Sequence, residues 1–303
     1  MNETAQKQPA TRRDGLLRIE LMGGMARAIL VDSTQMCEDA RATHSLSRVA
    51  TAALGRLLTA TTMLGAMLKN EKDSVTCTLR GGGPLGTAMA VGRADGSVKG
   101  YVDNPALDLP RRADGKLPVG DAVGRDGYLT VIKDMGLREP YVGQTKIVSG
   151  EIAEDFTLYF SASEQTPSVV SLGVLTHDHV LAAGGLIVQM MPGADEAAIQ
   201  SVELSLGMFE NISATLHEYG LDGAVNQLLL HLEPKILQRM DIAYRCDCNR
   251  NRIERALISL GEGELTSMIR EQQGAEVGCH FCGKQWAFSA DDLRTLRQNA
   301  TAQ

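Results

Sequence analysis

Positive charge is in deficit. The 303 residues carry 30 Lys and Arg against 37 Asp and Glu, a formal net charge of −7. A general nucleic-acid binder needs a basic surface to neutralise phosphates, so this balance argues against that class. A secretory signal is missing as well: MNETAQKQPATRRDG has no apolar core and reads as a polar leader. There is no long uncharged apolar run. The longest apolar stretch, residues 46–68, is interrupted by Arg48 and Arg56 and carries Thr51, Thr59, Thr61 and Thr62. Its apolar residues recur at three- and four-residue steps, which predicts a buried amphipathic helix rather than a membrane span. These absences point to a cytoplasmic globular protein with no membrane and no nucleic-acid partner. A hydrophobic content of 44% suffices for a sizeable core.

Catalytic signatures are also missing. The run GGGPLG at 81–86 lacks the lysine and hydroxyl residue of a phosphate loop, and Pro84 removes an amide donor. It reads as a tight strand connection. Ser149, Ser161, Ser163 and Ser168 sit in no nucleophile elbow. His177 and His179 flank Asp178 without a further ligand and read as a loop between strands. We expect no enzymatic turnover.

What is present divides into three textures, giving an α+β fold class. Residues 1–192 read as a mixed α/β core domain. One or two strands are predicted over 16–31, and further strands at 75–80, from the glycine-rich turn through Val91, and at 98–102, 128–133, 169–175 and 180–190, with helices at 44–69 and 151–163. Ser149 is a plausible cap for the second helix. Residues 103–127 hold three prolines and read as a long loop with short strands. Residues 193–245 read as a helical linker. One helix runs from Asp195 to Tyr219 with Gly220 as its stop, and a second from Asp222 to Leu232. Residues 246–303 form a small C-terminal zinc-binding module.

Four of the six cysteines fall in that tail. Clustered thiols in a reducing cytosol mean metal or redox chemistry more often than structural disulfides. Cys37 and Cys77 are isolated and read as ordinary buried side chains. The tail runs CDC at 246–248, then thirty residues, then CHFC at 279–282. Zinc favours four soft ligands in a tetrahedron, and Cys246, Cys248, Cys279 and Cys282 supply them. Cys279 and Cys282, followed by Gly283, fit a zinc knuckle. The insert predicts helices at 250–260 and 262–273, a hairpin around the knuckle, and a capping box at Ser289–Asp292 opening a last helix. Such a module has little core, so bound metal would supply much of its stability.

Spacing alone leaves several readings open. The site could be permanently structural. It could belong to a nucleic-acid-binding ribbon, although residues 235–303 hold ten Lys or Arg against nine Asp or Glu and so present no basic field. A catalytic zinc is disfavoured because four thiolates leave no open position for water. A thiol oxidoreductase using Cys279 and Cys282 would need a strand–helix setting that is not seen.

The two cysteine pairs resemble those of the redox-regulated 33-kilodalton chaperonin family, the heat-shock holdases of bacteria. The resemblance extends through GRLLTATTMLGAMLK, GGGPLG, GYVDNP, LTVIKDMG, GQTKIVSGEIAEDFTLYFSASEQTPS and AAGGLIVQMMPGA, from about residue 16 to about residue 295. It implies an ATP-independent chaperone that holds one zinc per chain when reduced. Oxidation is then expected to form Cys246–Cys248 and Cys279–Cys282 disulfides, release the zinc and unfold the tail. The helical stretch would expose apolar surface, with Ile199, Val202, Leu206 and Phe209 as candidate contacts for unfolded client proteins. The resemblance also implies a homodimer when oxidised. A zinc-stabilised binding module without redox switching stands as the alternative.

Overall fold

The computed structural model describes residues 14–300. The polar leader read at the N-terminus lies, but for its last residues, outside them. The chain divides into two compact units, one ending at Tyr244 and the other beginning at Arg245.

In the first unit, β1 (Gly15–Leu21) and β2 (Ala26–Asp32) form a hairpin. Two helices follow, α1 (Thr34–His44) and α2 (Arg48–Ala66), then a meander of β3 (Ser74–Arg80), β4 (Ala88–Arg93) and β5 (Ser97–Val102). The short helix α3 (Val119–Val123) leads into β6 (Tyr128–Asp134) and β7 (Tyr141–Lys146). Next come α4 (Ala153–Ala162), β8 (Ser168–Thr176) and β9 (Val180–Met190). Helices α5 (Glu196–Leu204), α6 (Leu206–Phe209) and α7 (Ile212–Leu229) precede two closing strands, β10 (Lys235–Asp241) and β11 (Ala243–Tyr244). One sheet has the order β10-β1-β2-β9-β8 and the other β11-β5-β4-β3-β6-β7. Every pairing is antiparallel except β11 with β5.

Helix α2 lies between the sheets, packed on β3, β4 and β5 of one and β8 and β9 of the other. All nineteen of its residues except Arg48 and Arg56 are buried. The expected amphipathic helix is thus a central one, apolar on nearly every side. By length and composition it could span a membrane, but 94% of that window is buried inside the protein. Its threonines are tolerated there because Thr51, Thr59, Thr61 and Thr62 each donate to the carbonyl four residues back, at 2.7–2.9 Å. Close approach to β4 depends on Gly65, where a Cβ would meet the Arg93 carbonyl oxygen at 2.7 Å.

Helix α4 starts differently from the sequence expectation. Asp155, not Ser149, organises its N-terminus. The fully buried carboxylate accepts from the amides of Val148, Ser149 and Ile152 at 2.8, 3.2 and 3.0 Å. Ile152 is held at φ 74°, a left-handed conformation costly for a β-branched residue. Next to it, Glu151 pairs with Arg56 of α2 at 2.8 Å and accepts from the Gly120 amide of α3 at 3.2 Å.

Three further segments differ from expectation. Residues 103–127 contain α3 and no strand. The single helix expected over 195–219 is broken at Ser205 and again at Glu210–Asn211, while Gly220 (φ 67°, ψ −176°) leaves the helical conformation and interrupts α7 where the sequence placed a stop. The stretch read as a helical linker also holds β10, an edge strand of the five-stranded sheet. Helix α7 packs on β2, β8 and β9, enclosing a second core with Leu17, Ile19, Leu21, Leu186 and Val188.

The second unit contains α8 (Arg250–Ser259), α9 (Glu262–Ser267) running on as a π-turn through Met268–Gln272, the hairpin β12 (Gly274–Gly278) and β13 (Gln285–Ser289), and α10 (Ala290–Ala300). The Ser289–Asp292 capping box is present. The Ser289 amide donates to Asp292 at 2.9 Å and the Asp292 amide to the Ser289 hydroxyl at 3.1 Å. Its core is small: Leu257, Leu265, Phe288, Leu293 and Leu296 are buried, with a ring of half-buried neighbours that includes Trp286.

Candidate metal centre

The site is assembled from two turns of the second unit. The first carries Cys246 and Cys248. Asp247, between them, is held by Arg252 at 2.6 Å, and the Asn249 side chain caps α8 by accepting from the Arg252 amide at 3.0 Å. The direction of the CDC turn is therefore set by the first turn of α8. That helix is in turn fastened to the hairpin by Arg250. Its guanidinium lies 4.4 Å from the Phe288 ring centroid and donates to the Ala287 carbonyl at 3.3 Å.

The second turn joins β12 to β13. The Cys279 carbonyl accepts from the amides of Cys282 and Gly283 at 3.3 and 2.8 Å, and the Cys279 amide donates to the Lys284 carbonyl at 2.9 Å. Gly283, at φ +68°, allows the chain to reverse beneath the thiols.

The turns bring four sulfurs together. The ligand atoms of Cys246, Cys248, Cys279 and Cys282 all lie within 4.8 Å of one another. The contact from Cys246 to Cys279 is 3.7 Å and that from Cys248 to Cys282 is 3.2 Å. A tetrahedron of thiolates with metal–sulfur arms of about 2.3 Å has edges of about 3.8 Å. The donor set therefore fits a single tetrahedral ion of the zinc type in both chemistry and size. This is the only such group found among the described residues. His280 is exposed and outside it.

The electrostatics of the thiols show why a cation belongs there. Burial raises the Cys248 thiol well above its ordinary value, and hydrogen bonding to Cys282, Cys246 and Cys279 raises it further. Burial likewise raises Cys246. Cys282 moves the other way: burial opposes its ionisation, but the Lys284 amide and the neighbouring thiols outweigh it. One thiolate is favoured in the cluster at the expense of its neighbours. A divalent ion removes that conflict.

The two remaining cysteines are unlike these four. Cys37 and Cys77 are fully buried in the first unit, and burial pushes each thiol up to about 12. At neutral pH both are inert as nucleophiles. The candidate client contacts do not form one exposed stripe. Val202 and Phe209 are buried, Ile199 is half-buried and Leu206 is exposed. The exposed apolar side chains nearby are Leu204 and Met208. Sequence reasoning missed the roles of Asp247, Arg250 and Arg252. The available signal was charge placed directly beside the CDC turn.

Fold and centre together define a two-unit α+β protein whose second unit carries a four-thiol cluster that could hold a metal ion. The family model described as Hsp33 protein matches residues 14–289. The 33 kDa chaperonin of Clostridioides difficile (strain 630) is 47% identical over 283 residues, covering 93% of this chain and 97% of the relative. That of Bacillus cytotoxicus is 46% identical over 288 residues, covering 94% and 98%. A crystal structure of the 33 kDa chaperonin (heat shock protein 33 homolog) of Thermotoga maritima superposes with a TM-score of 0.87 at 33% identity, covering 96% of this chain and all of that one. The chain belongs to the Hsp33 family of heat-shock chaperones.

Proposed function

We propose that the protein is an ATP-independent holdase of the cytoplasm, silent when reduced and switched on by oxidation of the metal centre. The observation that carries the reading is the four-sulfur cluster at tetrahedral spacing in a unit with only five buried apolar residues among those described. Cys246, Cys248, Cys279 and Cys282 would hold one zinc ion as thiolates. Bound there, the metal supplies charge neutralisation and a crosslink between the two turns. So small a core cannot replace that crosslink.

All four cysteines are half-buried, which leaves them within reach of a small oxidant. A peroxide takes two electrons from a pair of thiolates. With two protons it becomes two waters, and the sulfurs join as a disulfide. Two equivalents convert all four cysteines. The family resemblance pairs Cys246 with Cys248 and Cys279 with Cys282. Sulfurs bonded to each other no longer coordinate, so the turns separate and the second unit unfolds. Client proteins would then meet apolar surface from the α5–α7 region, including Ile199, Val202, Leu206 and Phe209, and the oxidised chains would associate as homodimers. Binding of unfolded chains needs no catalytic residue, and none is assigned.

The test begins with the purified reduced protein. Zinc content should be one ion per chain. Peroxide under mild heat should lower it towards zero, produce the two intrapair disulfides on peptide mapping, and switch on suppression of light scattering by an aggregating test protein. Equal suppression before and after oxidation would favour a non-switching, zinc-stabilised binding module instead.

A further inference from the structure

We propose that β10 is a removable cover over β1, and that its departure opens the β1 edge to strand addition by an extended segment of an unfolding protein. The inference rests on the holdase reading and specifies one surface by which clients would be held.

The two strands differ in how they are fixed. In β1, Leu16, Leu17, Ile19 and Leu21 are all buried, and the last three belong to the core under α7. In β10, none of the seven residues is buried, and Ile236 and Leu237 are markedly exposed. The ladder between them is interrupted: Arg18 faces Gln238 and Ile19 faces Ile236, so Leu237 bulges without a partner. The ion pairs from Lys235 to Glu20 and from Arg239 to Asp222 of α7 are solvent-exposed and add little. What remains is one broken row of backbone hydrogen bonds and the half-buried Met240, which rests against the main core. The net worth of such a bond and the entropy of fixing a residue are of similar size.

The strand is held chiefly from its end. Ile242 is buried in the main core, and Tyr244 is bonded to Gly100 and to His44. Tyr244 is also the last residue of the first unit. If the second unit unfolds, Tyr244 becomes the last ordered residue before a coil, and fraying begins there. Once Ile242 and Tyr244 let go, nothing buried on β10 resists its peeling away.

The chemistry of the occupant can be read from the resident. β10 is an extended segment laid along β1, with charges at Lys235, Arg239 and Asp241 that blunt the sheet edge. Below it is an apolar strand whose freed N–H and C=O groups would accept any extended chain with alternating apolar residues. Arg18 Nε, buried without a partner, offers one further donor beside that edge.

Hydrogen exchange by mass spectrometry on the full-length chain tests this, with two probes. One is a ten-residue peptide alternating Val and Thr, and the other is its twin N-methylated at alternate residues. Oxidation should accelerate exchange in residues 15–21 and 235–241 together. The plain peptide should slow 15–21 again while 235–241 stays fast, and the twin should bind at least tenfold more weakly. The variant Gln238→Pro should bind the plain peptide without oxidant while keeping its zinc. Continued protection of 235–241 after oxidation, or equal binding of the twin, would overturn the inference. Should the oxidised chain suppress aggregation with β10 still protected, this inference falls and the holdase reading stands. Should β10 release and the peptide bind while aggregation proceeds unchecked, the holdase reading falls alone.

Discussion

The imidazole of His44 and the hydroxyl of Tyr244 meet at 2.8 Å, with the two rings edge to face at 6.3 Å. The same hydroxyl donates to the Gly100 carbonyl at 2.8 Å. A residue two positions before the first metal-site cysteine is thus bound to both α1 and β5.

Tyr244→Phe keeps the ring and removes the bridge. About 1–2 kcal/mol of local stability should be lost, since two partners are left without their hydrogen bond. Amide exchange at 243–244 should quicken in the reduced, zinc-loaded protein while β3 and β6 are unaffected. Unchanged exchange there would show that the ladder to β5 alone fastens this point.

Removing one ligand should loosen the second unit without any oxidant. Cys279→Ser should weaken zinc binding by more than the roughly 10–100-fold typical of an outer-shell change. Trp286 is the only tryptophan and packs beside the small core of that unit. Its emission should therefore shift to the red in the variant, as it should when a chelator strips the wild type. Intact zinc affinity in Cys279→Ser would refute the ligand assignment.

Asp155→Ala should be among the most damaging single changes in the first unit. It deprives three buried-side amides of one acceptor and releases a backbone held at Ile152 in an unfavourable conformation. A loss of about 3 kcal/mol or more is expected in urea unfolding followed by circular dichroism. Asp155→Asn, which keeps an acceptor, should cost less.

A pH effect is expected from Asp14. Burial raises its carboxyl to about 7, against the opposing pull of the Gln35 and Met36 amides, and Asp32 and Asp39 raise it further. The folded protein therefore keeps this proton up to about pH 7, whereas the unfolded chain releases it near the ordinary value of 3.8. The resulting stability is fully present below that lower value and is lost as pH rises towards 7. The slope is at most one proton, about 1.4 kcal/mol per pH unit. Asp14→Asn should flatten the decline in urea midpoint over this window; an unchanged slope would assign the effect elsewhere.

The clustering of four cysteines was legible because zinc chemistry needs few residues and close spacing. Two cysteine pairs a short insert apart specify it without knowledge of the rest. Most of the β-structure was legible too, from alternation in 75–80 and from the continuous apolar run of 180–190. What escaped has physical causes. Helix α1 carries Thr34, Glu38, Asp39 and Arg41 among its few buried residues, so its apolar stripe is faint. Strand β7 alternates weakly, with Tyr141 and Val142 both exposed at the sheet edge. The sequence KILQRMD has no apolar face to reveal β10 as a strand, since main-chain pairing with β1 is what extends it. Asp155 outranks Ser149 as a cap because it reaches three amides at once, a convergence that only the folded loop creates.

Helix α2 is enclosed on every side except at Arg48 and Arg56. Eight residues along a helix advance the direction of a side chain by about 80° beyond two full circles, so the two guanidinium groups point into neighbouring sectors. Turning the helix about its long axis would drive at least one of them into oil. A rod of Ala, Leu and Thr could otherwise seat itself at many angles between two sheets. Those two arginines work like the key on a shaft, leaving one angle at which both sheets can close.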